Sequence, residues 1–276
     1  MEIGSYTRPK SMDEAYSLVV EKRGIPIGGG AWTHMTARKA ALAVDLSDLG
    51  LRYISDSSDA IEIGAMATAR DIETSPLLSA GFGSLFRDAM NHIVGVQLRN
   101  VITAGGTVAG KYGFSDLLTV LAALNASLHF HGTGEVQLPE FLAAPRETPF
   151  LLEKIVIRKG AKAAFQSLRA TNNDFAILNV CAAFAGGSWR VAVGARPQAA
   201  RLSEAASAAL GGDAKPSPEK ATRAGEAAAV ELSFGEDTRG SAEYRRALCA
   251  VLVKRAVLAA AMETAVTAQV SAEASP

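Results

Sequence analysis

Changes in the spacing of apolar residues divide this chain into elements. Ser11-Met12-Asp13-Glu14 reads as a capping box, Ala15, Leu18 and Val19 follow at helical spacing, and Gly24 is a C-terminal stop. A short apolar strand at Ile25 to Ile27 runs into a glycine cluster, and Val44-Asp45-Leu46 is a neighbouring strand, which gives a small α/β unit ending near Leu51. Ala60 to Ala65 alternates like a strand, Thr68-x-x-Asp71 resembles a helix cap before the break at Ser75-Pro76, and Phe82, Leu85, Phe86, Ala89 and Ile93 mark one face of a helix. The stretch Gln97 to Asp116 (QLRNVITAGGTVAGKYGFSD) has no sustained period and leads into the helical pattern Leu117, Leu118, Val120, Leu121, Leu124.

Short strands follow at Ala126 to Phe130 and Val136 to Leu138 around the turn Gly132-Thr133-Gly134, then at Leu151 to Ile157 and Ala163 to Leu168. Ala176 to Phe184 and Trp189 to Val193 bracket Gly186-Gly187-Ser188, a hairpin signal. Beyond Arg196-Pro197 the composition shifts toward Ala, Ser and Glu. Ser217-Pro218 begins one helix, Ser241 begins a long one to about Gln269, and Ser271 to Pro276 reads as a frayed tail. No internal repeat is present.

Two of these segments suit an anion. Glycines let backbone approach a ligand, successive N–H groups can point at one phosphate, and a following helix N-terminus adds a favourable dipole. The first candidate is Gly28-Gly29-Gly30-Ala31-Trp32-Thr33 after its strand; the second is Thr103 with Gly105-Gly106. Two such loops can hold a diphosphate from both sides. Neither fits a single-loop nucleotide pattern, because the second has no Lys-Ser/Thr after its glycines and neither shows G-x-G-x-x-G between a strand and a helix.

Charge narrows the partners. Lys plus Arg equal Asp plus Glu at 28 each, which leaves no electrostatic footprint for nucleic acid or an anionic membrane. The N-terminus lacks the apolar core of a signal peptide and the most apolar helix, Ala247 to Met262, is broken by Lys254-Arg255, so a cytoplasmic protein is expected. Cys181 and Cys249 in apolar surroundings read as buried free thiols, too few for an iron–sulfur cluster. His129 and His131 share a strand face without a third ligand nearby, His34 and His92 are isolated, and no activated nucleophile is evident.

The residues IGGGAWT, Gln97-Leu98-Arg99-Asn100, Thr103-Ala104-Gly105-Gly106, Ser115-Asp116, Arg169 to Asn179 (RATNNDFAILN) and Ser241 to Arg245 together resemble the FAD-binding (medium) flavoprotein subunit of the molybdenum hydroxylases, which include xanthine dehydrogenase and carbon monoxide dehydrogenase. The resemblance implies an α+β chain. A two-subdomain FAD-binding fold of the PCMH/VAO type (1–52 and 53–168) would precede a small α+β C-terminal domain like that of the carbon monoxide dehydrogenase flavoprotein (169–276). It also implies that Pro26, Ile27, Gly28, Gly29, Gly30, Ala31, Trp32 and Thr33 form the first diphosphate loop and that Thr103, Gly105 and Gly106 form the second. Asp116 would then accept a hydrogen bond from the ribose or adenosine side, and Leu152 and Gln166 would lie near the flavin or its ribityl chain.

Trp32, Lys111 to Phe114 and Gln166 depart from the family's usual residues. The implied cofactor is FAD, with molybdopterin and [2Fe-2S] clusters only in partner subunits, a large and a small one, and NAD⁺ or another acceptor taking the electrons. No catalytic or metal-ligating residue is expected. The alternatives are a free-standing FAD oxidoreductase and a flavin-free structural subunit.

Overall fold

The computed structural model describes residues 1–35, 39–145, 149–172 and 174–263. It begins with β1 (Glu2–Thr7), α1 (Met12–Tyr16) extended by a π-helical turn (Ser17–Glu21), β2 (Ile25–Ile27) and β3 (Lys39–Asp45). β1 and β2 both run parallel to β3, giving the order β1-β3-β2. β1 is almost wholly exposed, so no apolar alternation announces it in the sequence. Ser11 caps α1 by accepting from the Glu14 amide, and Ala15 and Val19 pack on Val44, Leu46 and Leu151 in a small core.

The chain continues through β4 (Ile54–Asp56), β5 (Ala60–Gly64), α2 (Ala69–Thr74), α3 (Pro76–Phe82), α4 (Leu85–Met90), α5 (Val96–Arg99), α6 (Ala104–Gly110) and α7 (Asp116–Ala123). Thr68 and Asp71 form a complete capping box on α2. The single helix expected around Phe82 to Ile93 is broken at Gly83, whose φ of 59° ends α3 before α4 begins. Next come β6 (Ser127–Phe130), β7 (Gly134–Gln137), α8 (Leu138–Ala143) and β8 (Leu152–Arg158), and these strands join the first two in an antiparallel sheet of order β4-β5-β8-β6-β7.

The last part holds β9 (Lys162–Arg169), β10 (Ala176–Ala185), β11 (Ser188–Gly194), β12 (Arg201–Leu202), α9 (Glu204–Leu210), α10 (Pro218–Glu231) and α11 (Ala242–Met262). Gly186 and Gly187, at φ 56° and 76°, make the tight turn of the β10–β11 hairpin. The strand Ala163 to Leu168, assigned by the sequence to the second subdomain, pairs with β10 along its length and so belongs by hydrogen bonding to the four-stranded sheet β12-β11-β10-β9. Its alternation is local, whereas sheet membership is set by a partner strand further along the chain. The expected run of α11 to Gln269 and the tail Ser271 to Pro276 lie outside the described residues.

That last sheet is covered on both faces. Leu178, Val180 and Ala182 of β10 face Leu252, Val253 and Ala256 of α11, while Cys181 and Ala183 join the large core that contains α7 and the five-stranded sheet. Every residue of α7 is buried, so this helix is the hub between the two parts of the chain. Among the described residues no helix is long and apolar enough to cross a membrane.

Candidate functional site

The two glycine loops meet at one cleft of about 410 Å³. Parallel pairing of β2 with β3 delivers the first loop, and Ile27 accepts a hydrogen bond through its carbonyl from the Leu46 amide at 3.2 Å. A Cβ at Gly28 would lie 2.7 Å from Thr103 Oγ1, and one at Gly29 would lie 1.6 Å from the Val101 carbonyl oxygen. Only glycine allows so close an approach, and this approach brings the loops together. Gly30 takes φ 71°, a left-handed conformation that a side chain would strain.

The second loop differs from its sequence reading. Thr103 is the N-cap of α6 rather than part of an irregular segment, and its Oγ1 accepts from the Gly106 amide at 3.1 Å. The Ala104 amide donates to the Ala67 carbonyl at 2.8 Å and the Gly105 amide to the Ala65 carbonyl at 2.7 Å. These three amides are therefore already engaged and do not form an open nest. Among the described residues, by contrast, no protein group accepts from the amides of Gly28 and Gly29. No charged side chain is among the described residues that line the cleft. The donors that the cleft presents are the amides of Gly28 and Gly29 and the hydroxyls of Thr103 and Thr107, whereas Thr33 Oγ1 donates to the Gly30 carbonyl at 3.3 Å.

Pro26, Gly28, Gly29, Gly30, Ala31, Trp32, Thr33, Thr103 and Gly106 all line this cleft. Ile27 and Gly105 lie behind it; a Cβ on Gly105 would sit 2.8 Å from the Ala65 carbonyl oxygen, so this glycine serves the packing of α6 on the strand end before it. Leu152 and Gln166 are not brought to the cleft: Leu152 is buried opposite Phe130 at the start of β8, and Gln166 pairs with Val180 in the C-terminal sheet. Phe150, two residues before Leu152, does line the cleft.

Asp116 borders a second cavity, of about 80 Å³, that shares Trp32, Ile102, Thr107 and Tyr112 with the cleft. Its carboxylate accepts from Arg169 Nη2 at 2.6 Å and from Asn179 Nδ2 at 2.7 Å, and Thr119 donates to Asn179 Oδ1 at 2.8 Å. Burial pushes the Asp116 carboxyl up, and Arg169 and Asn179 work against that. Both oxygens thus have protein partners, which gives Asp116 a role in joining α7 to β9 and β10 that its motif did not reveal.

Trp32 and the stretch Lys111 to Phe114, which depart from the family pattern, are held by local packing. Trp32 lies 5.2 Å from Phe114 and 5.8 Å from Tyr112, and Phe114 lies 4.3 Å from Phe175, an aromatic cluster between cleft and cavity. Lys111 is buried with Nζ donating to the carbonyls of Phe141 and Ala144, which ties α6 to α8. Arg169 and Phe175 were not singled out from the sequence, although both sit in the stretch that carries the resemblance.

Neither cysteine is reactive by environment. Burial pushes the Cys181 thiol up and the Cys249 thiol up to about 12. His129 and His131 pair with different carboxylates, Glu135 at 3.5 Å for the first and Asp13 and Glu153 for the second, and among the described residues no cluster suits a metal ion.

Two family descriptions cover nearly the whole chain. Residues 1–159 match the FAD binding domain in molybdopterin dehydrogenase, and residues 163–260 match the CO dehydrogenase flavoprotein C-terminal domain. The chain is 26% identical to the nicotine 6-hydroxylase medium subunit of Paenarthrobacter nicotinovorans, over 94% of this chain and 98% of that one. It is 28% identical to the carbon monoxide dehydrogenase medium chain of Hydrogenophaga pseudoflava, over 92% and 96%. The solved carbon monoxide dehydrogenase of Hydrogenophaga pseudoflava superposes with a TM-score of 0.83 at 26% identity, over 93% of this chain and 96% of that one. The protein belongs to the FAD-binding flavoprotein subunits of the molybdenum hydroxylase family, and FAD is its cofactor. The glycine-lined cleft with two unclaimed amides fits the diphosphate of that group.

Proposed function

We propose that this chain is the electron-transferring subunit of a multi-subunit molybdenum hydroxylase of the xanthine dehydrogenase and carbon monoxide dehydrogenase kind, working in the cytoplasm. In this reading a large subunit with molybdopterin oxidises the substrate, a small subunit with [2Fe-2S] clusters relays electrons to FAD in this chain, and NAD⁺ or another acceptor removes them. The observation that carries it is the meeting of the two glycine loops, Gly28 against Thr103 and Gly29 against Val101, in one cleft with no charged side chain among its described lining residues. FAD supplies the redox chemistry, so the protein's tasks are binding, orientation and exclusion of water. The first-loop amides bind the diphosphate, and the Trp32, Tyr112, Phe114 and Phe175 cluster gives an apolar wall beside it.

The test is the absorption spectrum of the purified chain from about 300 to 600 nm, with the cofactor identified after denaturation. Flavin bands and released FAD are expected, together with co-purification of one larger and one smaller partner from the native source. A colourless chain that takes up no added FAD overturns this reading.

A further inference from the structure

A crevice of about 450 Å³ shares no lining residue with the FAD cleft or with the cavity beside Asp116. Its floor is the outer face of the five-stranded sheet. Ile61, Leu128 and Ile155 point into the core, and the alternate positions Glu62, Ser127 and Val156 line the crevice. At its edge, β11 of the C-terminal sheet contributes Arg190, and Leu124 and Asn125 close it where α7 ends. The crevice therefore touches both sheets, and its volume is that of a small-ligand site. Its charges are matched with one exception. Lys154 donates to Glu62 at 2.7 Å, His129 lies 3.5 Å from Glu135, Lys159 is paired with Asp56, and Arg158 lies 3.3 Å from Asp59. Arg190 is half-buried, yet among the described residues its guanidinium has no hydrogen-bonded or ion-paired partner. On the floor, Asn125 Nδ2 donates to Gln137 Oε1 and Gln137 Nε2 donates to Ser127 Oγ, both at 2.9 Å. This ordered chain leaves the Ser127 hydroxyl proton to donate into the crevice.

We propose that this crevice is a carboxylate-binding site, with the Arg190 guanidinium as the fork that takes the two oxygens and the Ser127 hydroxyl as a further donor. The planar guanidinium matches a carboxylate in a bidentate way, and its partial removal from water strengthens the pair. The one unmatched cation calls for a single negative charge. That carboxylate belongs either to a free small acid or to an acidic side chain of a partner subunit. From either source it joins the five-stranded sheet to the C-terminal sheet, away from the flavin.

The experiment adds succinate to the wild-type chain, Arg190→Gln and Arg190→Lys, with sodium chloride of equal ionic strength as control, and reads the heat of binding and the urea midpoint. A second arm purifies the wild-type and Arg190→Gln chains from the native source and scores the partner subunits that come with each. Succinate is expected to bind the wild-type chain and to raise its urea midpoint, as a ligand specific to the folded state does. Arg190→Gln is expected to bind it roughly tenfold more weakly. Arg190→Lys, which keeps the charge and loses the fork, falls between the two and decides alone if Arg190→Gln does not fold. Flavin absorbance per protein stays at the wild-type value in both variants, because crevice and cleft are separate. If succinate does not bind and Arg190→Gln loses its partner subunits, the carboxylate is a partner's side chain. Equal effects of succinate and chloride mean an adventitious ion only and overturn the proposal. Equal succinate affinity in all three chains overturns it too, as does absence of succinate binding together with unchanged assembly of Arg190→Gln.

Discussion

A methyl group at Gly29 would place its carbon 1.6 Å from the Val101 carbonyl oxygen, a distance no relaxation of a side chain can repair because the obstacle is backbone. Gly29→Ala must therefore push the first loop away from the segment before Thr103 and open the floor of the cleft. We expect it to strip FAD from the purified chain and to destabilise the fold by about 1–3 kcal/mol, the usual range for overpacking. Flavin absorbance per protein and the urea midpoint check both, and a variant with wild-type values for each contradicts the assignment of Gly29. Sequence alone marked this glycine as one of three in a row. Which of the three is obligatory became clear only from what stands opposite each: Thr103 Oγ1 at Gly28, backbone at Gly29, and an ordinary contact with Thr33 Oγ1 at 3.8 Å together with a left-handed φ at Gly30.

At the scale of elements, capping residues were the most legible feature. Ser11, Thr68, Ser217 and Ser241 each cap the helix expected of them, because a cap depends on a hydroxyl and an amide only three positions away. The helix α6 was missed for a related reason: Ala, Gly, Gly, Thr, Val, Ala and Gly offer no apolar stripe, and its stability comes from Thr103 and from amides donated to Ala65 and Ala67. Thr103→Ala is expected to cost about 1 kcal/mol through loss of the cap and to reduce FAD retention, since Thr103 also stands against Gly28. Thr103→Ser keeps the hydroxyl and should restore most of the stability. Equal urea midpoints for the alanine and serine variants would show that the methyl group, and not the cap, matters here. Likewise, the link from Asp116 on α7 to Arg169 on β9 and Asn179 on β10 was invisible in the sequence, because it joins residues far apart whose local patterns are an ordinary cap, a strand end and a buried strand.

Across the whole molecule, the helix of the small parallel-sheet unit and the five-stranded sheet are tied together by a histidine that the sequence showed only as sharing a strand face with His129. His131 follows β6, its Nδ1 meets Glu153 of β8, and its Nε2 lies 2.8 Å from Asp13 of α1, with Tyr16 of the same helix 5.7 Å away. Glu153 first and Asp13 second hold the His131 imidazolium above its ordinary range, against a small opposing effect of burial. A group whose pKa is raised in the folded state gives stability that is complete below its unfolded value, about 6.5, and that disappears as pH rises through the folded value. The wild-type chain should therefore exceed His131→Gln in urea midpoint at pH 5.5 to 6 and converge with it in alkaline buffer. Asp13 is 93% exposed, so water screens its share and the acid-side difference should stay within about 1 kcal/mol. The other charges near this bridge, Lys154 paired with Glu62 and His129 beside Glu135, have partners of their own and are unchanged in the variant. A difference between wild type and His131→Gln that is constant from pH 5.5 to 9 would mean that His131 contributes packing against Tyr16 rather than a charge between the two sheets.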